Sequence, residues 1–138
     1  MRTIKFRAKA VSKNDWVYGN FIHSKRFEGC SNEFRIHEQE TGIESDVLEE
    51  TLGQFTGLHD KNGKEIYEGD IIRFNGVNDY SGKSGVVRVV FWDEDNSGWS
   101  VSHLTSEPSR SFALADKSMT PDREIIGNIH DNPELLAN

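Results

Sequence analysis

Residues 93–98 (DEDNSG) come closer to a metal-binding loop than any other run in this sequence. Asp, Asp and Ser stand at the first, third and fifth positions of a calcium-binding loop, and Gly stands at the sixth. The twelfth position, which must supply a bidentate carboxylate, is Leu104, and the flanking residues are strand-like where an EF-hand has helices. The sequence therefore predicts a solvated hairpin turn. The alternative is a metal-dependent enzyme that acts through Asp93 and Asp95.

The histidines and the single cysteine do not form a recognisable reaction centre. No two histidines have the short spacing that places both imidazoles on one metal ion. They are His23, His37, His59, His103 and His130. Cys30 lies in a Gly/Ser/Asn-rich loop without an orienting group, and the sequence has no phosphate-binding loop, nucleophile elbow or His-Glu-x-x-His motif. We therefore predict no catalytic residue, no metal, no cofactor and no enzymatic activity.

A cationic strand near the start of the chain is the predicted interaction surface. Residues 3–11 alternate apolar and cationic side chains, so Lys5, Arg7 and Lys9 share one face of a half-buried strand. With Arg2 they form a basic surface for nucleic-acid phosphates or for an acidic protein surface. The numerous aromatic residues are predicted to fill the core, although exposed rings beside these cations would give a nucleobase-stacking platform.

The charge of the chain is unevenly divided. Residues 1–37 hold eight Lys/Arg against three Asp/Glu, a net charge of +5, whereas residues 38–138 hold eight against twenty, a net charge of −12. Such a division can steer partners or attract copies of the protein to one another front to back. We therefore expect a noncatalytic interaction module that self-associates or binds an unknown protein. Nucleic-acid binding is the alternative, and a further hypothesis is that the acidic part imitates nucleic acid.

The elements that position these residues are short strands. Residues 16–22 are predicted to pair antiparallel with the first strand, and residues 55–59 and 65–67 form a hairpin around the turn at residues 60–63 (DKNG). Residues 85–92 are apolar on both faces apart from Arg88, which favours a central strand. Residues 123–130 are a closing strand, and residues 131–136 (DNPELL) predict a short C-terminal helix.

The length of 138 residues fits one domain with a small β extension. A single cysteine excludes an intramolecular disulfide and gives no sign of an oxidising compartment. No segment has the pattern of a signal peptide or approaches the ~20 apolar residues of a membrane span. We therefore expect a soluble cytoplasmic protein without membrane contact.

Three segments resemble the YopX family of phage and prophage proteins. They are residues 4–19 with IKFRA and VYG, residues 53–72 with GQFTGL and DKNGKEIYEGDII, and residues 125–136 with IIGNIHDNPELL. The resemblance implies a mainly β protein with a small SH3-like barrel in the C-terminal part, residues 51–138, preceded by an N-terminal β portion, residues 1–50. It also implies a phage or prophage accessory protein in a bacterial cytoplasm. It brings no known reaction, cofactor or catalytic residue.

Overall fold

The structure is a computed structural model, and it describes residues 1–25, 27–29, 33–78, 84–102, 112–115 and 122–136. Within these ranges the chain forms eleven strands and two short 3-10 helices, which confirms that the fold is mainly β. The strands assemble into two antiparallel sheets. The chain divides into two compact units, Met1–Gly57 and Leu58–Asn138. This division falls within the fifth strand, whereas the predicted boundary lies between residues 50 and 51.

The sheet of the first unit contains five neighbouring strands in the order β4-β3-β2-β1-β5. They are β1 (Phe6–Lys9), β2 (Trp16–His23), β3 (Phe34–His37), β4 (Glu44–Asp46) and β5 (Gly53–His59). The predicted antiparallel pairing of the first two strands is confirmed, with Arg7 opposite Tyr18 and Lys9 opposite Trp16. On its other side β1 pairs with β5, where Arg7 lies opposite Gly53. The first strand of the chain is therefore an interior strand of the sheet.

Alternation along the strands produces the core of the first unit. Ala8, Ile36 and Val47 are buried. The partly buried side chains packed against them are Phe6, Val17, Phe34 and Leu52. Successive side chains of a strand point to opposite faces, so the neighbours of Ala8 in β1, Arg7 and Lys9, lie on the face away from this core. Burying an Ile or Val side chain stabilises a fold by about 1.5–3 kcal/mol.

The end of β4 returns to the end of β1. The Val11 N–H donates to the Asp46 carbonyl at 2.8 Å, the Leu48 N–H donates to the Lys9 carbonyl at 2.9 Å, and Ala10 forms an isolated bridge with Val47. A 3-10 helix, Glu49–Thr51, then leads to β5. The Thr51 hydroxyl accepts a hydrogen bond from the Lys9 N–H at 2.8 Å and donates one to the Leu48 carbonyl at 2.7 Å. The sheet of the first unit therefore curls back on itself.

Gly19 of β2 lies against the backbone at the end of β3. A Cβ atom at this position would lie 2.0 Å from the main-chain oxygen of His37, which no real Cβ atom tolerates. Gly19 lies opposite Phe6 in a β1–β2 register without a bulge. The absence of a side chain is therefore required by close packing of two backbones.

The second unit contains a five-stranded sheet in the order β10-β9-β8-β7-β11. Its strands are β7 (Asp70–Asn78), β8 (Ser84–Asp93), β9 (Gly98–Ser102), β10 (Phe112–Ala113) and β11 (Arg123–Asn128), and β6 (Glu65–Tyr67) pairs with β5. The predicted central position of residues 85–92 is confirmed, since β8 is the middle strand. The buried core residues are Ile66, Ile72, Phe74, Val90, Val101 and Leu114. Three partly buried side chains pack against this core, namely Leu58, Trp99 and Ile125.

Two details of the predicted fold differ from the structure. Among the described residues neither sheet closes into a barrel, because β4 and β6 remain the end strands of the first sheet and β10 and β11 those of the second. The C-terminal turn, Pro133–Leu136, is a 3-10 helix of four residues in which the Leu135 N–H donates to the Asn132 carbonyl at 3.1 Å. A stretch this short completes a turn without room for an α-helix. No helix in the described part of the chain is long and apolar enough to cross a bilayer.

Candidate interaction surfaces

The cationic side chains of β1 lie over aromatic rings. The Arg7 guanidinium carbon is 4.6 Å from the centroid of the Trp16 ring, and the Lys9 Nζ is 5.5 Å from the same ring. The Lys5 Nζ is 5.6 Å from the centroid of Phe55. Such contacts attract a cation to the face of a ring by about 0.5–2 kcal/mol. The strand face predicted as basic is therefore a mixed cationic and aromatic surface.

The four predicted interaction residues differ in accessibility. Arg7 is only 7% exposed. Lys5 and Lys9 are half-buried, and Arg2, which precedes β1, is exposed. Trp16 was among the aromatic residues considered as neighbours of these cations, and the β1–β2 register places it opposite Lys9, whereas Phe55 was not predicted as a partner of Lys5. Arg2 and the two lysines, rather than Arg7, are the residues that a partner would reach.

A groove of about 590 Å³ lies at the other end of β1, between the β1–β2 turn and the β3–β4 connection. Its lining is mostly apolar, and the exposed side chains of Val11 and Ile43 belong to it. Four carboxylates surround these residues, against a single cation, Lys13. The carboxylates belong to Asp15, Glu38, Glu44 and Asp46. We refer to this feature as the acid-rimmed groove. No local sequence pattern marks this groove, because its two walls come from residues 10–17 and residues 38–46.

Glu44, on one wall of the groove, lies beside an arginine and a histidine of β3. The Glu44 carboxylate lies 3.5 Å from the Arg35 Nε and 3.8 Å from the His37 Nδ1. Arg35 also donates to the Ser24 carbonyl at 3.1 Å. On the β3–β4 turn, the Thr41 hydroxyl donates to Glu38 at 3.3 Å. Two of the four rim carboxylates, those of Glu38 and Glu44, thus contact neighbouring polar side chains of the first unit.

Asp60, in the turn between β5 and β6, accepts hydrogen bonds from three main-chain N–H groups. Its Oδ1 atom accepts from Asn62 and Lys64, each at 2.9 Å, and its Oδ2 atom accepts from Ile125 at 3.1 Å. Burial alone would raise the pKa of Asp60, but the hydrogen bonds from Ile125, Lys64 and Asn62, with the charge of Lys64, hold it below its usual value. This carboxylate is thus used to join a turn to a strand.

Arg123 reinforces the same junction from β11. Its Nε atom donates to the His59 carbonyl at 2.8 Å, and its Nη1 atom donates to the Leu114 carbonyl at 3.3 Å. Burial lowers the pKa of Arg123, and the charge of Asp60 opposes that shift. The guanidinium therefore satisfies carbonyl groups of two neighbouring segments.

The Tyr67-to-Asp70 turn is also fixed by its own polar groups. The Asp70 Oδ2 atom accepts from the Tyr67 N–H at 2.7 Å, and Gly69 has a φ of 89°, a left-handed value that favours glycine. Gly69 donates to the Val90 carbonyl and accepts from the Ile129 N–H, both at 2.9 Å. The turn is consequently tied to β8 and to the segment that follows β11.

The C-terminal motif forms a compact set of side-chain to main-chain bonds. The Asn128 Oδ1 atom accepts from the N–H groups of His130 at 3.0 Å and Asp131 at 2.9 Å. The Asn132 Oδ1 atom accepts from the Asn128 N–H at 3.3 Å. These contacts end β11 and direct the chain into its last turn, so the motif has a structural role.

Asp93 caps the turn that was compared with a calcium loop. Its carboxylate accepts from the Asn96 Nδ2 atom at 2.7 Å, from the N–H groups of Asp95 and Asn96 at 3.1 and 3.3 Å, and from the Ser100 hydroxyl at 3.5 Å. The hydrogen bond from the Asn96 side chain is the main cause that lowers the pKa of Asp93. Among the described residues no group of three or more His, Cys, Asp or Glu side chains could hold a metal ion. Cys30 and His103 lie outside the described residues.

Comparisons with known proteins give a structural neighbour and a family. The fold is similar to the crystal structure of protein EF1440 from Enterococcus faecalis, with a TM-score of 0.57 and 24% sequence identity over 99% of each chain. No curated protein matches the chain. The model of the YopX protein family matches residues 5–137, which is nearly the whole chain. All three segments on which the predicted resemblance rests fall wholly or almost wholly within this match. The chain therefore belongs to the YopX protein family.

Proposed function

We propose that this protein is a noncatalytic protein-interaction module, encoded by a phage or prophage and acting in the cytoplasm of the bacterial host, with further copies of itself among its partners. The observation that carries the proposal is that the carboxylates which could have formed a reaction centre bond to their own chain instead. The Asp60 and Asp93 carboxylates accept hydrogen bonds from their own chain and serve turn geometry. These internal hydrogen bonds do not account for the uneven division of charge, which is +5 in residues 1–37 and −12 in the remainder. A division of this kind can attract a charged partner or another copy of the protein.

Protein contact is favoured over nucleic-acid contact by the charge of the whole chain. The basic strand face offers a partner Arg2 and the half-buried Lys5 and Lys9, while Arg7 is buried against Trp16. The net charge of −7 repels nucleic acid. One observation supports the second candidate, a nucleic-acid-binding module. Tyr18 lies exposed opposite Arg7 and offers a ring for base stacking beside the cations.

For the second unit we favour an open relative of an SH3-like barrel. Strands β7 to β10 follow one another as an antiparallel meander, and the last strand, β11, lies beside the first strand of that meander. This strand order agrees with an SH3-like arrangement. Folds of this type host many unrelated functions, so the proposal about function rests on surfaces and not on the strand order.

Sedimentation velocity at low and high salt tests self-association. We expect concentration-dependent association of the wild-type protein at low salt, weakened at high salt because charge attraction is screened. A variant with Arg2→Ser, Lys5→Ser and Lys9→Ser is expected to associate less, while Lys25→Ser, which removes an exposed lysine outside β1, is the control. A wild-type protein that stays monomeric at high concentration in both salts contradicts self-association.

Filter binding with DNA and RNA at low salt decides between the two candidates. We expect no retention of either nucleic acid. Retention that weakens steeply with salt and is lost in the triple variant would favour the nucleic-acid-binding module.

A further inference from the structure

Two tryptophan side chains meet at one end of the second sheet. Trp92, near the end of β8, lies opposite Trp99, near the start of β9. Their ring centroids are 5.1 Å apart, and the two ring planes are inclined by 75°. Trp99 packs against the core of the second unit, whereas Trp92 is 44% exposed. We refer to this feature as the tryptophan corner, since it consists of two nearly perpendicular rings of which one is accessible to solvent.

The charge beside the tryptophan corner is exclusively negative. Residues 89–102 contain three carboxylates and neither Lys nor Arg. Asp93 uses its carboxylate within the turn. Glu94 and Asp95 are exposed, and within the described part of the chain neither side chain takes part in a hydrogen bond or an ion pair. Two carboxylates that follow Trp92 closely in the chain are therefore available to a partner.

The tryptophans of the two units differ in whether their own chain supplies a cation. In the first unit the Arg7 guanidinium carbon lies 4.6 Å from the centroid of Trp16, and Lys9 approaches the same ring. Among the described residues no Lys or Arg lies over Trp92. The face of an indole ring attracts a cation. Trp92 therefore offers to a partner the kind of contact that Trp16 makes within its own chain.

An indole ring beside carboxylates selects a guanidinium group. A guanidinium is planar and stacks on an aromatic ring, and its N–H groups form a fork that donates to the two oxygens of a carboxylate. An apolar side chain would use the ring alone. A phosphate group would be repelled by Glu94 and Asp95. The chemistry of this surface thus favours a protein partner that presents arginine over a nucleic acid.

We propose that the tryptophan corner, together with Glu94 and Asp95, binds an arginine side chain of a partner protein. The guanidinium lies over the exposed ring of Trp92, and its N–H groups point toward the two carboxylates. This inference rests on the proposed function, because it gives the chemistry of one partner of a noncatalytic interaction module.

An NMR titration of the full chain with two peptides tests this proposal. The probe is acetyl-Gly-Arg-Gly-Arg-Gly-amide, and the reference peptide has citrulline, an uncharged analogue of similar shape, in place of each arginine. We expect the arginine peptide to shift the indole N–H signals of Trp92 and Trp99. The signal of Trp16, whose ring already contacts Arg7 and Lys9, should stay in place. Binding should weaken as salt is added, because the attraction between exposed charges is screened.

Two variants remove the two parts of the site separately. Trp92→Leu removes the exposed ring and should weaken binding about fivefold. Glu94→Gln with Asp95→Asn removes two charges and should also weaken binding about fivefold at low salt. In Trp92→Leu the affinity is read from the Trp99 indole signal and the main-chain amides of the turn.

Matched controls make the same kinds of change elsewhere on the surface. Phe27→Leu removes an exposed ring in the first unit. Glu49→Gln with Glu50→Gln removes two exposed carboxylates. Neither control should change the affinity for the arginine peptide. Main-chain amide spectra verify that each variant keeps the fold.

Weaker binding in both site variants and unchanged binding in both controls would support the proposal. Equal shifts with the citrulline peptide would overturn it, because charge would not be recognised. Unchanged affinity in Trp92→Leu would also overturn it, as would the absence of any shift with the arginine peptide at millimolar concentration. Affinity that falls in Trp92→Leu alone would overturn the part given to the carboxylates.

The outcomes separate this inference from the proposed function. If the wild type associates in sedimentation velocity but the arginine peptide shifts no tryptophan signal, the interaction function stands and this inference is wrong. If the arginine peptide binds at the tryptophan corner while the wild type stays monomeric in both salts, this inference stands and self-association is wrong.

Discussion

The Oδ2 atom of Asp60 accepts a hydrogen bond from the main-chain N–H of Ile125 at 3.1 Å, across 65 positions of sequence. The same carboxylate closes its own turn through Asn62 and Lys64. One side chain thus fixes both the β5–β6 turn and the position of β11 beside it. The motif around Asp60 is consequently explained by the folding of the second unit.

Replacing Asp60 with Ala should destabilise the protein by about 2–3 kcal/mol, because a half-buried N–H group of Ile125 loses its acceptor and the turn loses two further bonds. Urea unfolding followed by Trp fluorescence measures the change. Asn62→Ala is the matched control, since it leaves the Asn62 N–H in place and removes only an exposed side chain. Equal destabilisation by both substitutions would contradict the role given to the carboxylate.

Acid should weaken the protein partly through Asp60. The pKa of Asp60 in the folded state lies below the unfolded value of about 3.9. Its contribution is therefore complete above the unfolded pKa and is lost as the pH falls through the folded pKa. The free energy of unfolding is measured at a series of pH values from pH 6 to about pH 2. Below about pH 4 it should fall less steeply with decreasing pH in Asp60→Asn than in the wild type. Asp93, whose pKa is also lowered, is present in both proteins and so cancels in the comparison. Parallel pH profiles would contradict this prediction.

Gly19→Ala should disrupt the first unit, with a loss of about 3 kcal/mol or more, because the new methyl group would overlap the His37 carbonyl oxygen in a backbone that cannot move aside locally. Thermal unfolding by circular dichroism measures the loss. Gly98→Ala is the control within a strand, since its nearest contact would be an ordinary 3.8 Å from Asn96. A stable Gly19→Ala protein would show that β2 and β3 are farther apart than described.

Calcium, magnesium and manganese should leave the melting temperature unchanged. The Asp93 carboxylate already accepts hydrogen bonds from Asp95, Asn96 and Ser100, and a bound ion would have to replace several of these donors. Thermal unfolding with and without each ion, repeated on Asp93→Ala, tests this. An ion-dependent rise in the wild type that disappears in Asp93→Ala would instead favour the metal-dependent alternative.

Local sequence patterns were sufficient for the hairpins. The β5–β6 turn was predicted from Asn62 and Gly63, and Gly63 has the positive φ of 81° that this turn needs. The central position of β8 followed from an apolar run with no polar face. Both predictions depend on residues that are close in sequence, where propensity and turn chemistry act directly.

Contacts between distant residues were beyond these patterns. The alternation in β1 placed Lys5, Arg7 and Lys9 on one face of the strand. It did not predict that Arg7 is buried, with its guanidinium over the Trp16 ring. The bond from Ile125 to Asp60 and the return of β4 to β1 join segments whose separation no periodicity encodes. The acid-rimmed groove likewise exists only because two turns meet in space.

The interior position of β1 has a consequence for synthesis on the ribosome. Phe6 and Arg7 pair with Gln54 and Gly53, so β1 keeps one hydrogen-bonding edge open until β5 is translated. A nascent chain paused before that point carries an unprotected β edge, which is a template for intermolecular pairing. The edge of β1 is therefore covered only after residues 53 and 54 have left the exit tunnel.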